Sequence, residues 1–394
     1  MHATDPRPPV PWHILLGAAA ALAITMGVGR FVYTQLLPLM QRDHGLDTHA
    51  GGWLASINFA GYLAGALYAA LWVPAAQRMR WFGAGLLASV ASTLGMGLGA
   101  SFALWALLRF VSGVAAALAM VLGGALVLER LPARHRAFGS GLMYGGMATG
   151  IVGSTLAVNL LDRFGLGVDA LWLACGGLCV PLLWLVRPLF GPPPSTVMPA
   201  RTAAQALPVH LPWLIAAYAC AGYGYSTSAT FLPLIVRGLG VSPAVVESTW
   251  LVVGLAALPA SFAWGWVANR WGGARALDGA YLVQALGVGL PLLAPNAAGA
   301  LAGAVLFGSS FIAVVGLALA IAREAEPTRA SRAIGLMTAA YGVAQIVGPL
   351  VSARLSGPGD DFRLPLLLAS GALLLGFGLL RLARPRPQLV APAT

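Results

Sequence analysis

The sequence predicts an all-α integral membrane protein of twelve transmembrane helices arranged as two six-helix bundles. Three observations carry that prediction. The chain is 59% hydrophobic and only 9% charged, with a mean hydropathy of +0.81, whereas soluble domains carry about a quarter charged residues. Its apolar stretches recur at lengths near the roughly 20 residues that cross a hydrocarbon layer. The chain also repeats itself at half its length. Gly27-Val28-Gly29, Leu37-Pro38-Leu39 and Gly45 return as Gly222-Tyr223-Gly224, Leu232-Pro233-Leu234 and Gly240, each 195 residues on. Arg136-Ala137-Phe138-Gly139 returns as Arg332-Ala333-Ile334-Gly335, 196 residues on. Half-length similarity in an apolar chain points to two halves that rock about a shared central site.

Taken in order, the first half is expected to cross at 13–40, 50–73, 82–100, 102–128, 137–160 and 168–187. The second half follows at 212–237, 243–268, 277–294, 298–322, 332–354 and 363–382. Residues 1–187 then form the N-terminal bundle and 212–394 the C-terminal one. Between them, 188–211 holds Gly191-Pro192-Pro193-Pro194 and further small and hydroxyl residues, the composition of a linker. Gly61-x-x-x-Gly65, Gly141-x-x-x-Gly145 and Gly146-x-x-x-Gly150 predict close helix crossings. Cys175, Cys179 and Cys220 lie in apolar segments without neighbouring His or acids and read as packing residues.

All 23 basic residues are arginine. With both termini in the cytoplasm, sixteen lie on the inner side, five on the outer, and Arg30 and Arg109 within spans. The positive-inside rule predicts that orientation. The +11 net charge is dispersed between apolar segments and forms no basic stripe, so nucleic acid is not expected as a partner. The Pro-rich start resembles the lead-in to a cleavable leader, but Gly27 to Pro38 has a counterpart deep in the chain, which argues against cleavage. The sequence holds no phosphate-loop motif and no mid-span His, so no ATP-driven pump, enzyme, cofactor or metal site is expected.

Arg30 falls midway along the first span and Arg109 in the fourth. An arginine at the bilayer centre costs about 2.5–3.5 kcal/mol and therefore faces a cavity or a partner. Neither finds a mid-span acid: Asp278 and Glu247 lie near span ends. Two such arginines invite an anion, because the guanidinium fork matches a carboxylate. The alternative, satisfaction by backbone carbonyls or by Asn58, Tyr33 and Thr34, stands level with it for Arg109. Tyr33 and Thr34 share the helix face of Arg30. Tyr223, Ser226, Thr227 and Thr230 form a stripe on span seven, Thr338, Tyr341 and Gln345 one on span eleven, and Ser309 and Ser310 mark span ten. Singly, such hydroxyls usually bond the carbonyl one turn back; jointly the faces predict a hydrated central site.

Gly265-Trp266-Val267-Ala268-Asn269-Arg270-Trp271-Gly272 with Arg275 resembles the loop signature of the major facilitator superfamily, with Asn269 at its Asp position. In the first half Pro74 takes that position, and Arg78 and Arg80 remain. Arg109-Phe110-Val111-Ser112-Gly113 resembles the superfamily's Arg-x-x-x-Gly motif. Gly141 to Gly150 resembles a degenerate antiporter signature, with Gly146 where Pro is usual. Gly29 to Met40, Asn58 to Gly65 and Thr230 to Pro233 are similar to the bacterial YbfB/YjiJ-type branch. The resemblance implies a secondary transporter of the bacterial inner membrane that moves a small organic solute by alternating access. Gly265, Asn269, Arg270, Gly272 and Arg275 would form its gating loop. The expected solute is a small organic anion held between Arg30 and Arg109, with protons a candidate coupling ion, lipid the surrounding partner, and a monomer the expected state. The competing expectations are an exporter of neutral or amphipathic compounds and a non-transporting sensor or assembly protein.

Overall fold

The computed structural model describes residues 10–191 and 209–384, all helix and connecting turns save one isolated bridge. In the first half run α1 (Trp12–Leu22), α2 (Val32–His44), α3 (Thr48–Leu71), α4 (Arg78–Gly95), α5 (Phe102–Arg130), α6 (Arg136–Arg163) and α7 (Val168–Val186). The second half holds α8 (Leu211–Arg237), α9 (Pro243–Ala257), α10 (Ala260–Trp271), α11 (Gly273–Leu293), α12 (Ala297–Ala325), α13 (Ala330–Leu355) and α14 (Arg363–Leu382). Most of the expected linker, 192–208, lies outside the described residues.

The repeat is written into the helix boundaries. Helices of the first half begin at 48, 78, 102 and 168, and their counterparts at 243, 273, 297 and 363, each pair 195 apart. The landmark glycines have a packing reason. A Cβ on Gly27 would lie 2.6 Å from Gly150 Cα, and one on Gly222 2.6 Å from the Tyr341 carbonyl. In both halves the first rod thus crosses the fifth at backbone contact, which only glycine permits.

Two expected spans are broken. The first, expected as one helix over 13–40, is α1, a π-helical stretch Ala23–Val28, a turn at 29–31 and then α2. The eighth, expected over 243–268, is α9 and α10 bent by 43° at a break that contains Pro259, where a missing N–H interrupts the ladder. Span three was expected at 82–100 and forms four to five residues earlier, as α4. With each bent pair taken as one rod, twelve rods run among the described residues. Nine are long and apolar enough to cross a membrane, or ten with the bent pair. The remaining two are α4 and α8. Large apolar side chains such as Leu87, Trp184, Leu293 and Leu375 are exposed on the outside, a surface that suits lipid rather than water.

Because α1 starts and α14 ends on the same side, that side is called the termini side here, and the side of the α2–α3 turn the far side. The halves are joined towards the far side. Ser56 Oγ donates to the Ile346 carbonyl at 2.7 Å, and Thr34 Oγ1 to the Ala229 carbonyl. Asn159 Nδ2 donates to the Glu247 carbonyl at 3.0 Å, Arg163 pairs with Glu247 at 3.3 Å, and Arg237 donates to Gln41 at 2.7 Å. Gly52 lets α3 close on α13, its Cβ position falling 2.7 Å from that of Ala353. On the termini side Phe138 and Phe262 meet at 5.7 Å. Lower on α5, α6, α12 and α13, a Cβ added at Gly124, Gly145, Gly316 or Gly335 would meet nothing within 4 Å. The hydrogen bonds and the ion pair tie the halves together on the far side, beside a pocket lined by Gln35, Asn159, Pro233 and Glu247.

Candidate functional site

The site grows from the break in the first rod. Gly29 N–H bonds back to the Ile24 carbonyl at 2.8 Å and Phe31 N–H to the Met26 carbonyl at 3.0 Å, five residues each. This π-helical segment turns the carbonyls of Gly29 and Arg30 off the helix axis, and they take partners from α5. Arg109 donates from Nη1 to Gly29 at 3.3 Å and from Nη2 to Arg30 at 3.4 Å. Ser112 Oγ adds a bond to Gly29 at 2.7 Å. π-Helical insertions of this kind concentrate at functional positions, because they re-aim the side chains that follow.

Arg30 is the side chain so aimed. It is 4% exposed, and its guanidinium lies 4.2 Å from the Tyr62 ring centre, 4.8 Å from Phe59 and 5.5 Å from Phe31. Each such contact contributes up to about 2 kcal/mol when desolvated, which offsets the burial of the charge. Its Nη2 crosses to the other half, donating to Gln345 Oε1 at 3.0 Å and to Tyr225 Oη at 3.3 Å. Its Nε and the Gln345 Nε2 are buried without a hydrogen-bond partner. Behind these groups the C-terminal half offers a ring wall. Tyr225 stacks on Tyr341 at 5.8 Å and on Phe311 at 6.3 Å, and Tyr341 lies 4.5 Å from Tyr218.

Arg109, expected beside Arg30 as a second anion ligand, is 3% exposed and covered by the Tyr33 ring at 4.4 Å. Its terminal nitrogens each reach a carbonyl of the broken rod and brace it, while its Nε, like that of Arg30, is buried without a partner; of the two, Arg30 is the one that reaches the opposite half. No carboxylate pairs with either arginine among the described residues; their partners are amide, hydroxyl, carbonyl and ring groups. Asn58 Nδ2 holds the Arg109 carbonyl at 2.8 Å, and Tyr33 Oη donates to the Gly51 carbonyl at 2.8 Å. With Thr34 on Ala229, these three expected site residues act as ties between helices. Ser226 bonds back to the Tyr223 carbonyl at 2.9 Å, and Thr227 meets Ser352 at 2.9 Å. Ser309 and Ser310 likewise return to Leu306 at 3.0 and 2.7 Å. Tyr223 and Tyr341 are half-buried, Thr230 is buried, and Gln345 joins Arg30.

Asn269, Arg270, Gly272 and Arg275 are exposed at the termini side and Gly265 is half-buried, all away from the central site. Gly272 has φ 90° and ψ 146°, backbone that only glycine adopts readily, and it turns α10 into α11. Asp278 is held by Arg384 at 2.7 Å and Arg381 at 3.5 Å within the second half. Cys175 and Cys179 are buried and free, and no metal-holding cluster occurs among the described residues.

Sequence reasoning missed Tyr225, Phe59, Tyr62 and Phe311. For Tyr225 a signal existed: it stands 195 residues after Arg30, so the two occupy equivalent repeat positions and meet across the halves. The other aromatic residues gave no such sign, since rings in an apolar span read as lipid-facing or packing.

This architecture is shared with solved transporters. The crystal structure of a point mutant of the nucleoside transporter NupG superposes with a TM-score of 0.68, covering 94% of this chain and 99% of that one at 13% identity. At that identity the likeness establishes the fold alone. The family match over most of the chain makes this a multi-pass membrane transporter of the major facilitator type. Residues 22–381 match the family described as "Uncharacterised MFS-type transporter YbfB", and the chain belongs to that family. It is also 34% identical over 103 residues to the "Uncharacterized MFS-type transporter YceJ" of Bacillus subtilis (strain 168). That match spans a quarter of the length of each protein.

Proposed function

We propose that the protein is a secondary transporter that moves a small organic anion by alternating access, with Arg30 as the anion's anchor. The observation that carries this reading is a buried arginine at the junction of the two halves with no carboxylate partner among the described residues. Its neutral partners, Gln345 and Tyr225, belong to the opposite half. An anion bound there touches both halves at once and so senses which way they are tilted, which is what alternating access requires. With the termini in the cytoplasm of a bacterial inner membrane, the ties on the far side would hold the halves together at the outer face. Asp278 is braced within its own half and Glu247 lies at the far-side seam, which supports a proton carried on the solute, or solute exchange, as the energy source.

The test is uptake of candidate anions into proteoliposomes by wild type, Arg30→Lys and Arg30→Gln. Arg30→Lys keeps a charge and loses the planar fork, so transport should fall at least tenfold while the protein stays monodisperse. The ring-rich wall also supports a neutral or amphipathic solute, and transport that survives Arg30→Gln would favour that reading.

A further inference from the structure

We infer that the solute is a monoanion: a single carboxylate carried on a planar, ring-bearing body. This assignment rests on Arg30 holding an anion and goes further, to the number of charges and the shape of the rest. The charge count comes from Arg109. Sequence alone offers two membrane arginines and therefore room for a dianion, but Arg109 is committed to the carbonyls of Gly29 and Arg30 and covered by Tyr33. Arg30 alone of the two reaches across to the opposite half. A second carboxylate would have only Arg109 to meet, behind Tyr33 and already bonded to two carbonyls, and desolvating it there carries a large penalty.

The donors match one carboxylate. Arg30 Nε and Gln345 Nε2 are buried N–H groups without partners, and a carboxylate brings two acceptor oxygens. Gln345 Oε1 accepts from the guanidinium at 3.0 Å. A carboxylate is the stronger acceptor for arginine and would displace that amide oxygen, leaving the Gln345 amide N–H groups to donate to the newcomer. The exchange keeps Arg30 satisfied throughout and links the solute to both halves.

The body of the solute is read from what surrounds the cation. Tyr62 lies under the guanidinium at 4.2 Å and Phe59 at 4.8 Å; Phe59 meets Tyr225 across the halves at 6.2 Å, and Tyr225 stacks on Tyr341 and Phe311, so the cation sits in one continuous cluster of rings. Tyr62 and Tyr341 are half-buried whereas Phe59, Tyr225 and Phe311 are buried, so the two tyrosines are the more accessible members of the cluster. Ring edges and faces favour another planar π-system in offset or edge-on contact, worth up to about tenfold in affinity per ring. A small aliphatic acid would make none of these ring contacts.

The experiment measures binding to the purified full-length protein by thermal shift, and uptake into proteoliposomes, with five probes. These are benzoate, benzamide, acetate, succinate and phthalate. Benzoate should bind at least tenfold more tightly than each of the others. Tyr62→Leu should weaken benzoate about tenfold, while Tyr62→Phe retains benzoate. Acetate equal to benzoate would overturn the ring, with the anion reading intact. Succinate or phthalate equal to or tighter than benzoate would overturn the single charge. Benzamide equal to benzoate, with binding kept in Arg30→Gln, would instead remove the anion reading beneath it. Silence with all five probes in protein that unfolds cooperatively would also overturn the inference.

Discussion

Replacing Gly222 by alanine should loosen the fold and the site together. A Cβ there would lie 2.6 Å from the Tyr341 carbonyl oxygen and 3.2 Å from its Cα, against the roughly 3.5 Å at which non-bonded atoms rest. The neighbour is backbone and cannot swing aside, so α13 must retreat by about 1 Å. Alanine improves the helix itself by about 0.5–1 kcal/mol, whereas overpacking costs about 1–3 kcal/mol, and the second term wins. Gly335→Ala on α13 is the control: nothing lies within 4 Å of its Cβ position, so only the helix gain remains. The two variants should therefore differ by roughly 1–3 kcal/mol in unfolding free energy. The displacement also reaches the site. Gln345 lies one turn beyond Tyr341 and accepts from Arg30 at 3.0 Å; a further ~1 Å takes that pair outside hydrogen-bonding range. Thermal unfolding in detergent reads the first effect, and binding of a ring-bearing carboxylate the second. If Gly222→Ala melts with Gly335→Ala and binds as wild type does, the backbone crossing does not hold α13 in place.

Three further outcomes follow from the same contacts. Ser112→Ala removes a 2.7 Å bond to the off-axis Gly29 carbonyl and should cost about 1 kcal/mol, measured by thermal unfolding. Asn159→Leu cuts the chain in which Gln35 donates to Asn159 at 2.7 Å and Asn159 to the Glu247 carbonyl at 3.0 Å. It should favour far-side opening, read as faster maleimide labelling of Gln41→Cys in a Cys220→Ala background; unchanged labelling would show that this chain does not hold the seam. Asp278→Asn removes the partner of Arg381 and Arg384 and should lower stability by on the order of 1 kcal/mol without altering the response of uptake to a pH gradient. Loss of that response with binding intact would assign proton coupling to Asp278.

The architecture was legible because apolar length and half-length repetition are one-dimensional signals that survive without coordinates. That Arg30 and Gln345 lie inside the protein and not against lipid was legible for a related reason: a charge or an amide in an apolar span has few inert explanations. Arg109 was harder. Whether it meets an anion or a carbonyl depends on the π-helical stretch at Ala23–Val28, and a local change of helical winding leaves no mark in hydropathy. The same break explains why 13–40 looked like one helix. Most hydroxyl residues of the expected stripes instead bond carbonyls on their own helix or tie helices together, as Ser226 and Thr34 do. Tyr62 and Phe59 stayed hidden because a ring facing a guanidinium and a ring facing lipid are the same letter in the sequence.

The meeting of Arg30 with Tyr225 and of Thr34 with Ala229 has a consequence for how such a chain can arise. Partners 195 residues apart are a residue and its own duplicate, facing one another across the two halves. In a chain newly made by doubling a gene, every such position would confront an identical copy. Most residue types tolerate this, but arginine does not. Two guanidiniums about 4 Å apart at an effective dielectric near 20 repel by about 4 kcal/mol. An ancestor with arginine at this position would be driven to exchange one copy for a neutral acceptor, and a tyrosine now stands there. Departure from symmetry would then begin at the central charge, and the ability to hold one charged solute in one orientation would follow from the doubling itself.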